Sequence, residues 1–273
     1  MGRPLIALIG ALSLVGAMAA YALYASWQQP LKLQPEGAVL TIRPGESLQQ
    51  VLRELENQGW ITRARWVGLT AQVLGLDKQI KAGEFFVESQ MALSGLLMRL
   101  TKGEVLQYRV TLPEGITLRE ALLLLHSHAK LTQTPPATLA LSLQEMSAGA
   151  DTAEGWFLPE TWSFTADDRD VDILMRAHDA MQRLLQQLWA ERDLNTPLNS
   201  PYEALILASI VEKETGTPEE RQQIAGVFLR RLAKGMRLQT DPTVIYGLGE
   251  DYDGNLRRVH LRDTTNIYNT YVI

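Results

Sequence analysis

From Leu5 to Ala25 the chain carries no charged residue, and after it the apolar positions settle into two shorter rhythms. An uncharged helix over that run is about 31 Å long at ~1.5 Å per residue, enough to cross the hydrocarbon of a bilayer. Beyond it, the stretch Thr41-Ile42-Arg43-Pro44-Gly45-Glu46-Ser47-Leu48-Gln49-Gln50-Val51-Leu52 aligns without a gap on Thr111-Leu112-Pro113-Glu114-Gly115-Ile116-Thr117-Leu118-Arg119-Glu120-Ala121-Leu122. Each copy predicts a strand, a Pro/Gly turn, a Ser or Thr cap, and a helix with leucines at helical spacing. Between the copies the pattern predicts helices over Ala64 to Leu76 and Leu93 to Thr101, with a strand over Gly83 to Val87. The stretch Thr132 to Thr138 contains Pro135-Pro136 and predicts a loop, because paired prolines fit neither a helix interior nor a central strand.

The remainder reads as mainly helical. Leu174, Ala177, Met181, Leu184 and Leu188 recur at three and four and predict an amphipathic helix over Val171 to Trp189, ended by Asn195-Thr196-Pro197. Leu205 to Glu214 predicts a helix apolar on almost every side that ends in Glu212-Lys213-Glu214. The next helix opens at Thr217-Pro218-Glu219-Glu220, where Thr217 and Glu220 predict a capping box, and Gly235 is placed to close it in a left-handed conformation. The whole reads as an α+β chain. Residues 1–27 form a membrane anchor with a short cytoplasmic amino terminus, 28–37 a polar linker, 38–108 a small α+β module, and 109–273 a mainly helical α+β domain.

Charge orients the first of these. Arg3 and the amino terminus precede the apolar run while Ser26-Trp27-Gln28-Gln29-Pro30 follows it, so the positive-inside rule puts the amino end in the cytoplasm and the bulk of the chain outside. Ala17-Met18-Ala19 would suit signal-peptide cleavage, but the apolar run is too long for a signal core and continues past that site. The 26 basic and 31 acidic residues leave no cationic excess for a phosphate backbone, which argues against a nucleic-acid partner. The absence of cysteine removes disulfides and thiolate chemistry. His126, His128, His178 and His260 lack metal-ligand spacing, and there is no Gly-x-Ser-x-Gly elbow, so neither a metal, a cofactor nor a serine nucleophile is implied.

The chemistry lies in the charge at the end of an apolar helix. A buried carboxylate either finds a cationic partner or has its pKa raised until it holds a proton, and raised carboxylic acids protonate departing glycosidic oxygens. Glu212 and Glu214 lie roughly 200° apart on a helix, so they cannot face one ligand. Glu212 follows Leu205, Ala208 and Ser209, whose small members leave room for a substrate, and is the better candidate. Against it stands the plainer reading of a solvated helix end. Asp241, before Pro242, suits a helix cap and a substrate contact equally.

Four blocks, Glu154 to Thr161, Ala208 to Thr215, Lys234 to Gly247 and Tyr268-Asn269-Thr270-Tyr271, together resemble the signature of the endolytic murein transglycosylase, or YceG-like, family. The resemblance implies a membrane-anchored lytic transglycosylase of the periplasm. It would cleave the MurNAc–GlcNAc bond within peptidoglycan glycan strands and leave 1,6-anhydro ends, with Glu212 catalytic. It also implies substrate contacts from Glu154, Gln239, Thr240, Asp241, Tyr268 and Asn269, and a LysM-like module in the repeated strand-turn-helix region. The implied partners are the glycan strands, the inner membrane and cell-wall synthesis proteins. Two departures stand out: Asn266-Ile267 replaces the family's usual Ser-Pro, and family members continue past the equivalent of Ile273, which predicts an incomplete catalytic domain. A hydrolytic muramidase and a non-catalytic, membrane-tethered peptidoglycan-binding scaffold are the alternatives.

Overall fold

A computed structural model of the chain describes residues 3–147 and 152–273. The charged amino terminus at Met1 lies outside them. Mixed helix and antiparallel strand match the α+β expectation, and the chain divides into two compact units, Met1–Tyr108 with Ser163–Asp168, and Arg109–Trp162 with Arg169–Ile273.

In the first unit, the apolar run is a single helix, α1 (Arg3–Trp27), followed by β1 (Ala38–Ile42), α2 (Leu48–Asn57), α3 (Ala64–Val73), β2 (Gly83–Val87) and α4 (Leu93–Lys102). β1 and β2 pair antiparallel with Leu40 opposite Phe85, and their inward residues join leucines of α2 and α4 in one core. Each fully buried leucine there contributes roughly 1.5–3 kcal/mol. The stretch expected as a linker is built into this core. Leu31 is 2% exposed, its N–H donates to the Met91 carbonyl at 2.8 Å, and Lys32 N–H donates to Trp60 at 3.0 Å.

The second unit opens with β3 (Tyr108–Thr111), α5 (Leu118–Ser127), α6 (Pro136–Met146) and β4 (Thr161–Phe164), the last pairing with β3. It continues with α7 (Asp170–Ala190), α8 (Pro201–Glu214), α9 (Pro218–Ala233), α10 (Asp241–Leu248) and the short α11 (Arg258–Leu261). Both sequence copies fold as expected, with a capping box from Ser47 and Gln50 on α2 and from Thr117 and Glu120 on α5. The Pro-Pro stretch differs from its expectation. Pro136 is the first residue of α6, the position where a missing N–H costs nothing, so the prolines open a helix instead of remaining in a loop.

The box expected at Thr217 does not form: Thr217 makes no side-chain cap, and Glu220 instead accepts from the Thr215 hydroxyl at 2.7 Å. Gly235 does close α9 in the left-handed region, with Met236 N–H returning to Arg231 O at 2.9 Å.

Candidate functional site

α8 is not buried on every side. Leu207, Ile210 and Val211 pack with Phe228 of α9, while Ile206, Ala208 and Ser209 face outward. Glu212 therefore sits on the open face, behind small residues, with its side chain 26% exposed. Of the two fates open to a carboxylate there, the structure shows a cationic partner. Arg221, from α9, places a guanidinium nitrogen 3.0 Å from Glu212 Oε2, because the tight corner between α8 and α9 folds one helix back on the other.

The second strand-turn-helix copy supplies the opposite wall. Gly115 has φ +69°, and a Cβ added there would lie 3.4 Å from Glu212 Cγ and 3.3 Å from Lys213 Cε. Only glycine lets the turn adopt this conformation at no steric cost while the end of α8 lies so close. At the far side of the same turn the Leu118 N–H, at the start of α5, donates to both oxygens of Glu154 at 3.1 Å. Burial raises the Glu154 pKa above its ordinary value, opposed by the Leu118 and Gly155 N–H groups and by Lys213 and reinforced by Glu120. Two carboxylates, Glu212 and Glu154, thus flank one turn, and burial biases Glu154 toward its protonated form.

Aromatic rings border Glu154. Tyr246 of α10 is pushed up to about 12 by burial first and then by the Glu154 charge, and it meets Tyr268 edge-on with centroids 4.8 Å apart. Trp156 stacks on Tyr202 at 5.3 Å with ring planes 3° apart. Trp156 Nε1 and Arg221 Nε are buried donors without acceptors among the described residues, and such donors are ordinarily satisfied by water or ligand oxygen. The partly exposed Tyr246 and Tyr268 rings and the two carboxylates suit a polyhydroxylated ligand, whose apolar ring faces can stack while its hydroxyls bond.

The remaining expected residues form a second group. Gln239 takes φ +49° and donates its N–H to Thr270 O at 3.1 Å, while the Thr240 hydroxyl donates to Glu214 at 2.6 Å. Glu214 therefore faces away from the Glu212 partners, as its helical offset requires. Asp241 is the first residue of α10 rather than its cap, the cap position being Thr240, and it accepts from the Tyr271 hydroxyl at 2.6 Å. That bond, ahead of burial, pushes Tyr271 up to about 12. Asn269 is fully buried, with its amide donating to the carbonyls of His260 and Asp263, so in this structure it shapes the loop and is sealed from any ligand.

Asn266, one of the two departures, anchors that loop: its amide donates to Val244 O at 3.1 Å and its oxygen accepts from Tyr268 N at 3.0 Å, which sets Tyr268 over Tyr246. Sequence reasoning missed Gly115, Arg221, Tyr246, Trp156 and Tyr202. The Pro-Glu-Gly turn was the one local signal for Gly115, and the others gain their meaning from partners distant in sequence.

The YceG-like family model matches residues 40–273, and the chain belongs to that family. It is 26% identical over 211 residues to a Bacillus subtilis (strain 168) protein named endolytic murein transglycosylase, covering 70% of this chain and 57% of that one. A protein of the same name from Streptococcus pneumoniae serotype 2 (strain D39) is 27% identical over 239 residues, covering 77% and 43%. The chain spans about half the length of the curated relatives it matches. The crystal structure of a yceG-like protein from Listeria monocytogenes aligns with TM-score 0.47 and 25% identity, over 87% of this chain and 83% of that one.

Proposed function

We propose that this protein is a lytic transglycosylase that cuts peptidoglycan glycan strands between MurNAc and GlcNAc, held at the inner membrane by α1 with its two units on the periplasmic side. The observation that carries the reading is Glu212, half-buried on the open face of α8 against the Gly115 turn, in a chain of the YceG-like family. Relatives named endolytic murein transglycosylase support the substrate class. α1, with one stretch long and apolar enough to span, supports the anchor, and the repeated strand-turn-helix unit supports a LysM-like, glycan-contacting role for residues 38–108.

In this mechanism Glu212 parts from Arg221 as the strand enters, takes up a proton from solvent, and gives that proton to the glycosidic oxygen as the C1–O bond breaks. The resulting carboxylate then takes the proton of the sugar's own C6 hydroxyl, which closes onto C1 and leaves a 1,6-anhydro end without consuming water. Glu154, beside Tyr246 and its partner Tyr268, is proposed to contact the same strand. Glu212→Gln keeps the shape of the side chain and removes the acid: cleavage of purified sacculi is expected to vanish while the melting temperature holds. Undiminished cleavage by that variant would take Glu212 out of the mechanism.

Glu154 also favours one specific rival, a hydrolytic muramidase, because hydrolases need a second carboxylate and this one lies across the Gly115 turn from Glu212. Product mass decides between them, since anhydro ends are lighter than hydrolysed ends by one water. Gln239, Thr240 and Asp241 enter the proposal as the far rim of the groove, held by the Thr270 and Tyr271 contacts. Cell-wall synthesis proteins are the proposed partners at the membrane.

A further inference from the structure

α3 is apolar on two opposite faces. Ala64, Val67, Gly68 and Ala71 are buried against the first unit's core. Trp66, Leu69 and Val73 are 55%, 45% and 87% exposed, and at ~100° per residue they fall within a stripe roughly 60° wide on the side away from that core. A surface helix ordinarily turns polar residues outward, so this stripe calls for a covering.

What covers it is given by its neighbour. α3 packs beside α1, and the junction is fastened by the side chain of Gln29. The Gln29 amide donates to Ser26 O at 2.7 Å and to Thr62 O at 2.9 Å, and its oxygen accepts from Thr62 N–H at 2.9 Å and from the Thr62 hydroxyl at 3.0 Å. Ser26 is buried and Trp27 packs on the core, so the last turn of α1 belongs to the folded module. α3 therefore begins at the level where α1 would leave the lipid. On α1 that level carries exposed Tyr21 and Tyr24, the residues that favour a bilayer's interfacial zone. Arg63 and Arg65, both exposed at the start of α3, suit anionic headgroups beside an apolar stripe.

We propose that the outer face of α3, formed by Trp66, Leu69 and Val73, lies in the bilayer interface beside α1 and holds the first unit flat on the membrane surface. The inference rests on α1 being a membrane anchor. Lipid contact then comes from two elements, a spanning helix and an interfacial one, joined by the Gln29 clamp, and the module cannot swing on a flexible tether.

The absence of cysteine makes the test direct. The full chain, carrying Val73→Cys, Val15→Cys or Arg53→Cys with an environment-sensitive fluorophore, is placed in nanodiscs of phosphatidylethanolamine and phosphatidylglycerol. The expected result is blue-shifted emission at Val73 and Val15 that brominated lipid quenches, with neither effect at Arg53, an exposed polar position of α2. A label at Val15 in lipid and one at Val73 in water would overturn the inference and leave the anchor standing. Labels in water at both positions would remove the anchor and the inference with it. A Val73 label shielded from water, insensitive to brominated lipid and close to a label on another chain would give the face to a second copy and overturn the lipid assignment.

Discussion

Glu212 was visible in the sequence because a charge following Leu205-Ile206-Leu207-Ala208-Ser209-Ile210-Val211 breaks an apolar run. Its surroundings were not. Arg221 reaches it only because the chain turns a corner, and Tyr246 lies beside Glu154 only because folding brings α10 to a residue far upstream in the chain. Glu154 itself entered through a family resemblance, and its burial is a tertiary property. The folded chain holds the Glu154 proton more tightly than the unfolded chain, so folding takes up a proton between the ordinary value of 4.5 and the raised folded one. Stability is thus expected to fall as pH rises through that window and to recover on acidification. Glu154→Gln, which keeps an oxygen for Leu118 N–H, should flatten this part of the pH profile in urea titrations; an unchanged slope would show that another group is responsible.

At the scale of elements, the strand-turn-helix copies were legible because their signals are local: a Pro/Gly turn, a hydroxyl at the cap and Gln or Glu three residues on. The periodic stretch around Leu174 was legible for the same reason and folds as α7. What holds α7 in place was not. Asp170, its first residue, is fully buried and accepts from Thr134 N–H at 2.9 Å, the Thr134 hydroxyl and Val171 N–H at 2.7 Å, and it lies 2.8 Å from His126 Nε2. One carboxylate thereby ties the end of α5 and the approach to α6 onto α7. Asp170→Ala strands several buried donors, and each costs about 1–3 kcal/mol without an acceptor. Chemical denaturation should show a loss of that order at least, with the far-ultraviolet spectrum of the native state unchanged. A loss within error would mean that water takes over those bonds.

For the whole molecule, the absence of cysteine excluded thiol chemistry, and hydropathy marked α1. The polarity of residues 28–37 suggested a spacer, yet Leu31 is buried and the Gln29 side chain links Ser26 to Thr62, so these residues belong to the folded first unit. A chain shortened to begin at Ala38 should be less stable than one beginning at Gln28, by about 1.5–3 kcal/mol for the loss of Leu31 alone. Equal melting temperatures would show that the stretch packs without contributing.

The sequence by itself determined the long apolar helix, the repeated strand-turn-helix units with the caps of α2 and α5, and the family, because those signals are written in neighbouring residues. The tertiary structure decided which carboxylate gains a cation, which is biased toward holding its proton, and which expected contacts are sealed inside. Burial and charge at those positions come from groups that chain folding, and not sequence proximity, brings within a few ångströms.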